Sequence, residues 1–162
     1  MIVVSEESIM KALKRVEKAD KLVVDQFVKD LTQRQPFVMT YAYAMSELSG
    51  DKNSEPELFY YTVIIWQSYL IEARKMPKVS DRVIMKIEDQ QIHDFGDIVN
   101  LNDIQAALKI LKGTRQPNLV AFLSTELTKD ENMNYQIQSQ FFSTLKVIIE
   151  AFDETVNGGK DK

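Results

Sequence analysis

The amino-acid sequence predicts an all-α fold, a compact bundle of about six or seven helices arranged as two pseudo-repeated three-helix units. Three observations lead there. Only 5 glycines and 4 prolines punctuate 162 residues. A β-sandwich or barrel needs turn signals roughly every 8–12 residues, far more than this. Apolar residues recur at intervals of three, four and seven over most of the chain, the period of a helix face. Finally, Arg34-Gln35-Pro36 returns as Arg115-Gln116-Pro117, a shift of 81 residues that is half the chain length.

The first segment runs from Ser5 to Gln33. Ser5 suits an N-cap, and Glu6 and Glu7 suit the positive end of the helix dipole. Ile9, Leu13, Val16, Val23, Phe27 and Leu31 form one stripe, which predicts a single long helix; the alternative is a break near Ala19-Asp20. Pro36 ends that segment and opens a second helix, Phe37 to Leu48. Ser49 to Glu55 is a polar loop. Pro56 starts the central helix, whose stretch Leu58 to Ile71 is the most apolar in the chain and holds its one tryptophan. The run Val63-Ile64-Ile65 would suit a strand, but the pattern around it is too long and continuous for one. A fourth helix is capped by Ser80 or Asp81 and ends near Phe95-Gly96. The conformation of residues 94–101 stays open. A fifth helix follows Asn102 or Asp103, with Ile104, Ala107, Leu108 and Leu111 expected inward. A sixth opens at Pro117, and the last runs from about Met133 to Val156. Residues 1–156 read as a single domain, and residues 157–162 as a flexible tail.

At the shift of 81, Tyr60-Tyr61-Thr62 falls on Phe141-Phe142-Ser143 and Ile64 on Leu145, although Leu31 meets Lys112. The copies span about residues 22–75 and 103–156. The central helix and the last helix become counterparts expected to pack together. They differ where Trp66 falls on Val147 and Ile65 on Lys146.

Composition narrows function by exclusion. The net charge of −4 and pI of about 5.1 lack the basic excess that phosphate neutralisation demands, so no nucleic-acid partner is expected. Zero cysteines remove disulfides, thiolate metal sites and thiol nucleophiles, and fit a cytoplasmic protein. The apolar stretch of 14 residues is shorter than the roughly 20 that cross a bilayer, so no membrane span is expected.

Few residues suggest chemistry. His93 is the one histidine; Asp89 and Asp94 lie one turn away and adjacent, a weak set for a divalent ion, and an exposed histidine near a helix end is the preferred reading. Glu47, Glu72, Glu126 and Glu150 fit polar helix edges rather than an acid–base pair. Arg34 and Arg115 read either as bidentate anchors for a partner's carboxylates or as residues that fix their own turns. Tyr41, Tyr43, Tyr60, Tyr61, Trp66 and Tyr69 serve a core, an interface or a ligand pocket. Residues 60 and 61 cannot share a helix face, so some rings are expected to reach the surface. The expectation is a non-enzymatic module for protein–protein interaction or self-association, without metal or cofactor. Binding is sought first beside Tyr60, Tyr61 and Trp66. One alternative is a small-molecule-binding, metal-binding or hydrolytic helical protein using the acids near His93. Another is an acidic neutralising partner of a basic protein.

Overall fold

In the computed structural model, which describes residues 1–50 and 55–158, all regular structure is helical. Eight helices occur among the described residues: α1 (Glu6–Glu17), α2 (Lys21–Arg34), α3 (Pro36–Ser49), α4 (Glu55–Ala73), α5 (Asp81–Phe95), α6 (Ile104–Gly113), α7 (Pro117–Lys129) and α8 (Tyr135–Asn157). The number exceeds the expected six or seven because the first segment is two helices. Lys18 closes α1, and Asp20 restarts the chain by accepting the Val23 N–H at 3.0 Å. An aspartate is a better N-cap than a mid-helix residue, since its short side chain competes with the helical backbone. The break turns Val23 outward.

Short polar side chains set most helix starts. Ser5, Ser80, Asp103 and Asn134 each accept an N–H from the first turn. Gln35 and Gln116 precede the two prolines and make no such cap bond. Proline removes one orphan donor, and that frees the glutamine side chain for other work. Gly50 closes α3 in the left-handed region at φ 71°, where a side chain would be strained. The loop expected over 49–55 falls largely on residues 51–54, outside the described residues.

The core is built around α4 and α8, which pack on each other. Trp66 and Tyr69 of α4 and Phe141 and Phe152 of α8 are the largest fully buried side chains. The Tyr69 ring lies 5.3 Å from that of Phe152, and its hydroxyl donates to the Ile149 carbonyl at 2.9 Å. The helix α1 lies along α4, and α5 lies along α8. In turn α3 packs on α4 and α8, α7 on α8, and α2 on α3 and α4. No described helix is long and apolar enough to cross a membrane.

The helix α6 departs from expectation. Ile104, Leu108 and Leu111 point outward, at 76%, 54% and 47% exposure, and Ile110 is its one buried residue. Both flanks of α6 are fastened to α8. The Val99 N–H donates to Ser143 Oγ at 2.7 Å, and Thr114 Oγ1 donates to Glu150 at 2.8 Å. These anchors turn the Ile110 edge inward and the longer apolar stripe out. Residue 157, expected in the flexible tail, belongs to α8. Asn157 is the last residue of α8 and is fully buried, exchanging bonds of 2.8 Å with the backbone N–H and carbonyl of Ile2. Residues 159–162 lie outside the described residues.

Candidate functional site

A cleft of about 270 Å³ opens between α5, α6 and α8. Its walls carry Gln91, Asp94 and Phe95 from α5, Lys109 from α6, and Lys146 and Glu150 from α8. Lys146 follows Leu145 and precedes three apolar residues, so its helix position buries it to 8% exposure. Its ammonium reaches Gln91 Oε1 at 3.4 Å and stands 5.5 Å from the Phe95 ring centroid. Lys109 approaches the same ring at 5.1 Å and donates to the Asp94 carbonyl at 3.3 Å. Gln91 is itself fixed, donating to the Ser143 carbonyl at 2.8 Å.

The cleft separates the charge states of neighbours. Burial pushes the Lys146 ammonium below its usual range, against the pull of Glu150 and Asp94. Burial pushes the Glu150 carboxyl up, and Asp153 adds to that, while Lys146, the Thr114 hydroxyl and Arg115 oppose it. Side-chain hydrogen bonds from Gln90 and His93 hold Asp94 low. A buried lysine and carboxyl shifted towards neutrality in one cleft are the kind of pair found at functional sites.

Two further hollows are apolar. One of about 410 Å³ lies between α1, α2 and α4, lined by Val16, Val24, Val28, Phe59, Tyr60 and Val63 among others. Another of about 240 Å³ lies on the other side of α6, where Ala107, Ile110 and Leu111 face Val120, Ala121 and Phe142. Ile110 borders both this groove and the charged cleft.

The residues singled out in the sequence do not converge. Trp66 is fully buried, and its indole N–H has no partner among the described residues. Tyr60 borders the larger apolar hollow. Tyr61 is buried, its ring edge-on to Tyr60 at 5.4 Å. Tyr60 is half-buried, so within this set the ring expected at the surface is not one of this pair. Tyr43 does emerge. Burial raises the hydroxyl pKa of Tyr41, Tyr60, Tyr61 and Tyr69.

Arg34 and Arg115 occupy unlike surroundings. Arg34 is exposed and pairs with Asp30 one turn back at 3.0 Å. Arg115 donates to buried Asp153 at 2.6 Å and reaches Glu154 at 3.2 Å. Asp153 also accepts from Gln116 at 2.9 Å and Asn157 at 2.8 Å. His93 is exposed and touches Asp94 at 3.2 Å, while Asp89 is exposed on the same helix. Among the described residues no group of three or more histidine or acidic side chains could hold a metal ion. Glu72 accepts from Ser5 and Ser8 and so fastens the start of α1 to α4.

Two features escaped the sequence. Gln35 Nε2 donates to the Pro77 carbonyl at 2.9 Å, and its Oε1 accepts the Val79 N–H at 2.8 Å. Gln116 makes the same two bonds with Ile2 and Val4, both at 2.9 Å. Each amide clips an extended segment that leads into a serine-capped helix. The other is Lys146, for which a signal existed: a lysine inside an apolar helical run, with a glutamate four residues on. No protein-family model matches the chain, and no curated protein or solved structure shows significant similarity to it.

Proposed function

We propose that the chain is a non-enzymatic helical interaction module that associates with a second copy of itself through α6. The observation that carries this is the exposed stripe Ile104, Leu108 and Leu111, set beside the apolar groove between α6 and α7. A ridge and a groove on one face are self-complementary. A two-fold contact fills each groove with the other copy's ridge and removes both from water. The reading places the module in the cytoplasm, without nucleic acid or cofactor.

The same reading makes residues 1–156 one domain of two repeated units. Support comes from the paired glutamine clips. Gln35 and Gln116 share backbone angles, φ −131° and ψ 61° against φ −125° and ψ 62°. The segment Gln35 holds leads into α5; the segment Gln116 holds leads into α1. One unit is then α2 to α5. The other is α6 to α8 completed by α1, with the two chain ends joined at Ile2 and Asn157.

Size-exclusion chromatography with light scattering tests self-association. The expected result is a concentration-dependent dimer that Leu108→Glu converts to a monomer of unchanged melting temperature. A wild-type chain that stays strictly monomeric at high concentration would sink the reading.

A further inference from the structure

We propose that the cleft between α5, α6 and α8 is a binding site for a small oxyanion, a carboxylate or phosphate group, gripped by Lys146 and Lys109. The site is distinct from the α6 stripe and does not depend on self-association.

The argument starts from unspent donors. A lysine ammonium has three donors and no acceptor. Lys146 is more than nine-tenths buried, yet among the described residues its one hydrogen bond is the 3.4 Å contact to Gln91. Lys109 spends one donor on the Asp94 carbonyl. Neither forms an ion pair among the described residues. Asp94 and Glu150 border the cleft and attract the Lys146 charge, but neither comes within ion-pair distance of it: Asp94 bonds Gln90 and His93, and Glu150 bonds Thr114. A buried ammonium with so little compensation is costly, and the cost is tolerated where the group meets a partner of opposite charge.

The geometry supplies what such a partner needs. Both ammonium groups lie over Phe95, at 5.1 and 5.5 Å from its centroid, so they flank one flat apolar surface. An oxyanion that enters the cleft accepts from both lysines, beside the ring they already cover. The space of about 270 Å³ suits one small molecule and no macromolecular segment. Gln91 adds precision, because its bond to Ser143 holds the oxygen that orients Lys146.

The test titrates the full chain with inorganic phosphate and, separately, with benzoate, following amide shifts in heteronuclear NMR spectra. Saturable binding of either probe is expected, centred on Phe95, Lys109 and Lys146. Whichever binds more tightly identifies the headgroup. Lys146→Met and Lys109→Met should each weaken it about tenfold, the loss of one charge-assisted bond. Lys112→Met, on the same helix but outside the cleft, should leave it unchanged. Lys109 is exposed, so its variant decides the matter if Lys146→Met fails to fold. Absence of saturable binding by both probes overturns the proposal. So does equal weakening by all three variants, which would mean diffuse attraction to a basic helix.

Discussion

The hollow between α1, α2 and α4 and the cleft between α5, α6 and α8 are framed alike but lined oppositely. Valines and aromatic rings line the first. Two lysines and two acids join the lining of the second. The contrast is sharpest on the central helices. At the shift of 81, α4 presents Ile65 and Tyr69 where α8 presents Lys146 and Glu150. Ile65 and Tyr69 are buried and add to the core. Lys146 and Glu150 are held against their own hydration. One half of the molecule thus spends its central helix on stability. The other gives up part of it to keep charge inside, and that cost marks where binding is to be sought.

The largest expected effect tests whether the second half is held together by its polar network. Asp153→Ala leaves Arg115, Gln116 and Asn157 without their shared acceptor. Breaking a buried charged network in this way costs about 3–5 kcal/mol. The position of matching register in α4 is Glu72, which fastens a helix start and is worth about 1 kcal/mol, the scale of an N-cap. Calorimetry should show a melting-temperature loss several times larger for Asp153→Ala than for Glu72→Ala. Equal losses would remove the contrast.

Next come the glutamine clips. Gln116→Leu and Gln35→Leu each strand a backbone donor, from buried Val4 and buried Val79 respectively. Gln35→Leu should cost about 2 kcal/mol, the penalty for unsatisfied buried groups, and Gln116→Leu more, because Gln116 also donates to buried Asp153. Urea denaturation of both variants and the double variant checks this. Additive losses of at least this size at both positions support two clips. A large loss for only one would break the proposed repeat.

These residues also show what the sequence could and could not disclose. Helix existence was legible because periodicity and proline placement are local. The boundaries at Pro36, Pro117 and Ser80 follow from capping chemistry alone. The break at Asp20 was visible only as an alternative, since an unbroken apolar stripe ran through it. Orientation was the part hidden. Nothing within Ile104 to Gly113 says that the Ile110 edge rather than the longer stripe turns inward; the anchors at Ser143 and Glu150 decide that. The partners of Arg115 lie 38 and 39 residues away. A repeated tripeptide therefore could not reveal that its two arginines have different work. The charged cleft left one local trace, a lysine in an apolar run.

A smaller effect is expected from making the second cleft resemble the first. Lys146→Ile places there the residue that α4 carries in register. Replacing a buried charge by an apolar side chain of similar bulk is neutral or stabilising by about 1 kcal/mol. Glu150→Gln removes the other charge while keeping an acceptor for Thr114. The raised Glu150 pKa means the folded state holds its proton more tightly than the unfolded chain does. That contribution is present below the ordinary value of 4.5 and is lost as pH rises through the higher folded value. For Lys146 the folded pKa is lowered, so the charge penalises folding until pH rises through the lowered value towards 10.5. The advantage of Glu150→Gln over wild type should therefore be absent in acid and grow as pH climbs from 4.5. A constant offset in melting temperature across that range would show that Glu150 does not titrate differently on folding. The groups facing it that titrate or carry charge are Lys146, Arg115 and Asp153.

The smallest effect belongs to Arg34, and its smallness makes it informative. Arg34 is 65% exposed, and its partner Asp30 lies one turn away on the same helix. Such pairs contribute about 0.5 kcal/mol or less, because water screens them and the side chains lose freedom in forming them. Arg115 is 29% exposed and meets a carboxylate that is 1% exposed. Arg34→Ala should leave the melting temperature almost unchanged, whereas Arg115→Ala should cost about 2 kcal/mol, on the scale of hydrogen bonds to a charged group. In a double-mutant cycle Arg115→Ala should couple to Asp153→Ala, while Arg34→Ala should be additive with both. If Arg34→Ala proved as costly as Arg115→Ala, the arginine would serve the turn itself, since the turn is what the two tripeptides share. If the costs diverge as expected, the shared element reduces to glutamine and proline, the clip and the helix start, and Arg115 is an addition confined to the half of the chain that keeps charge in its core.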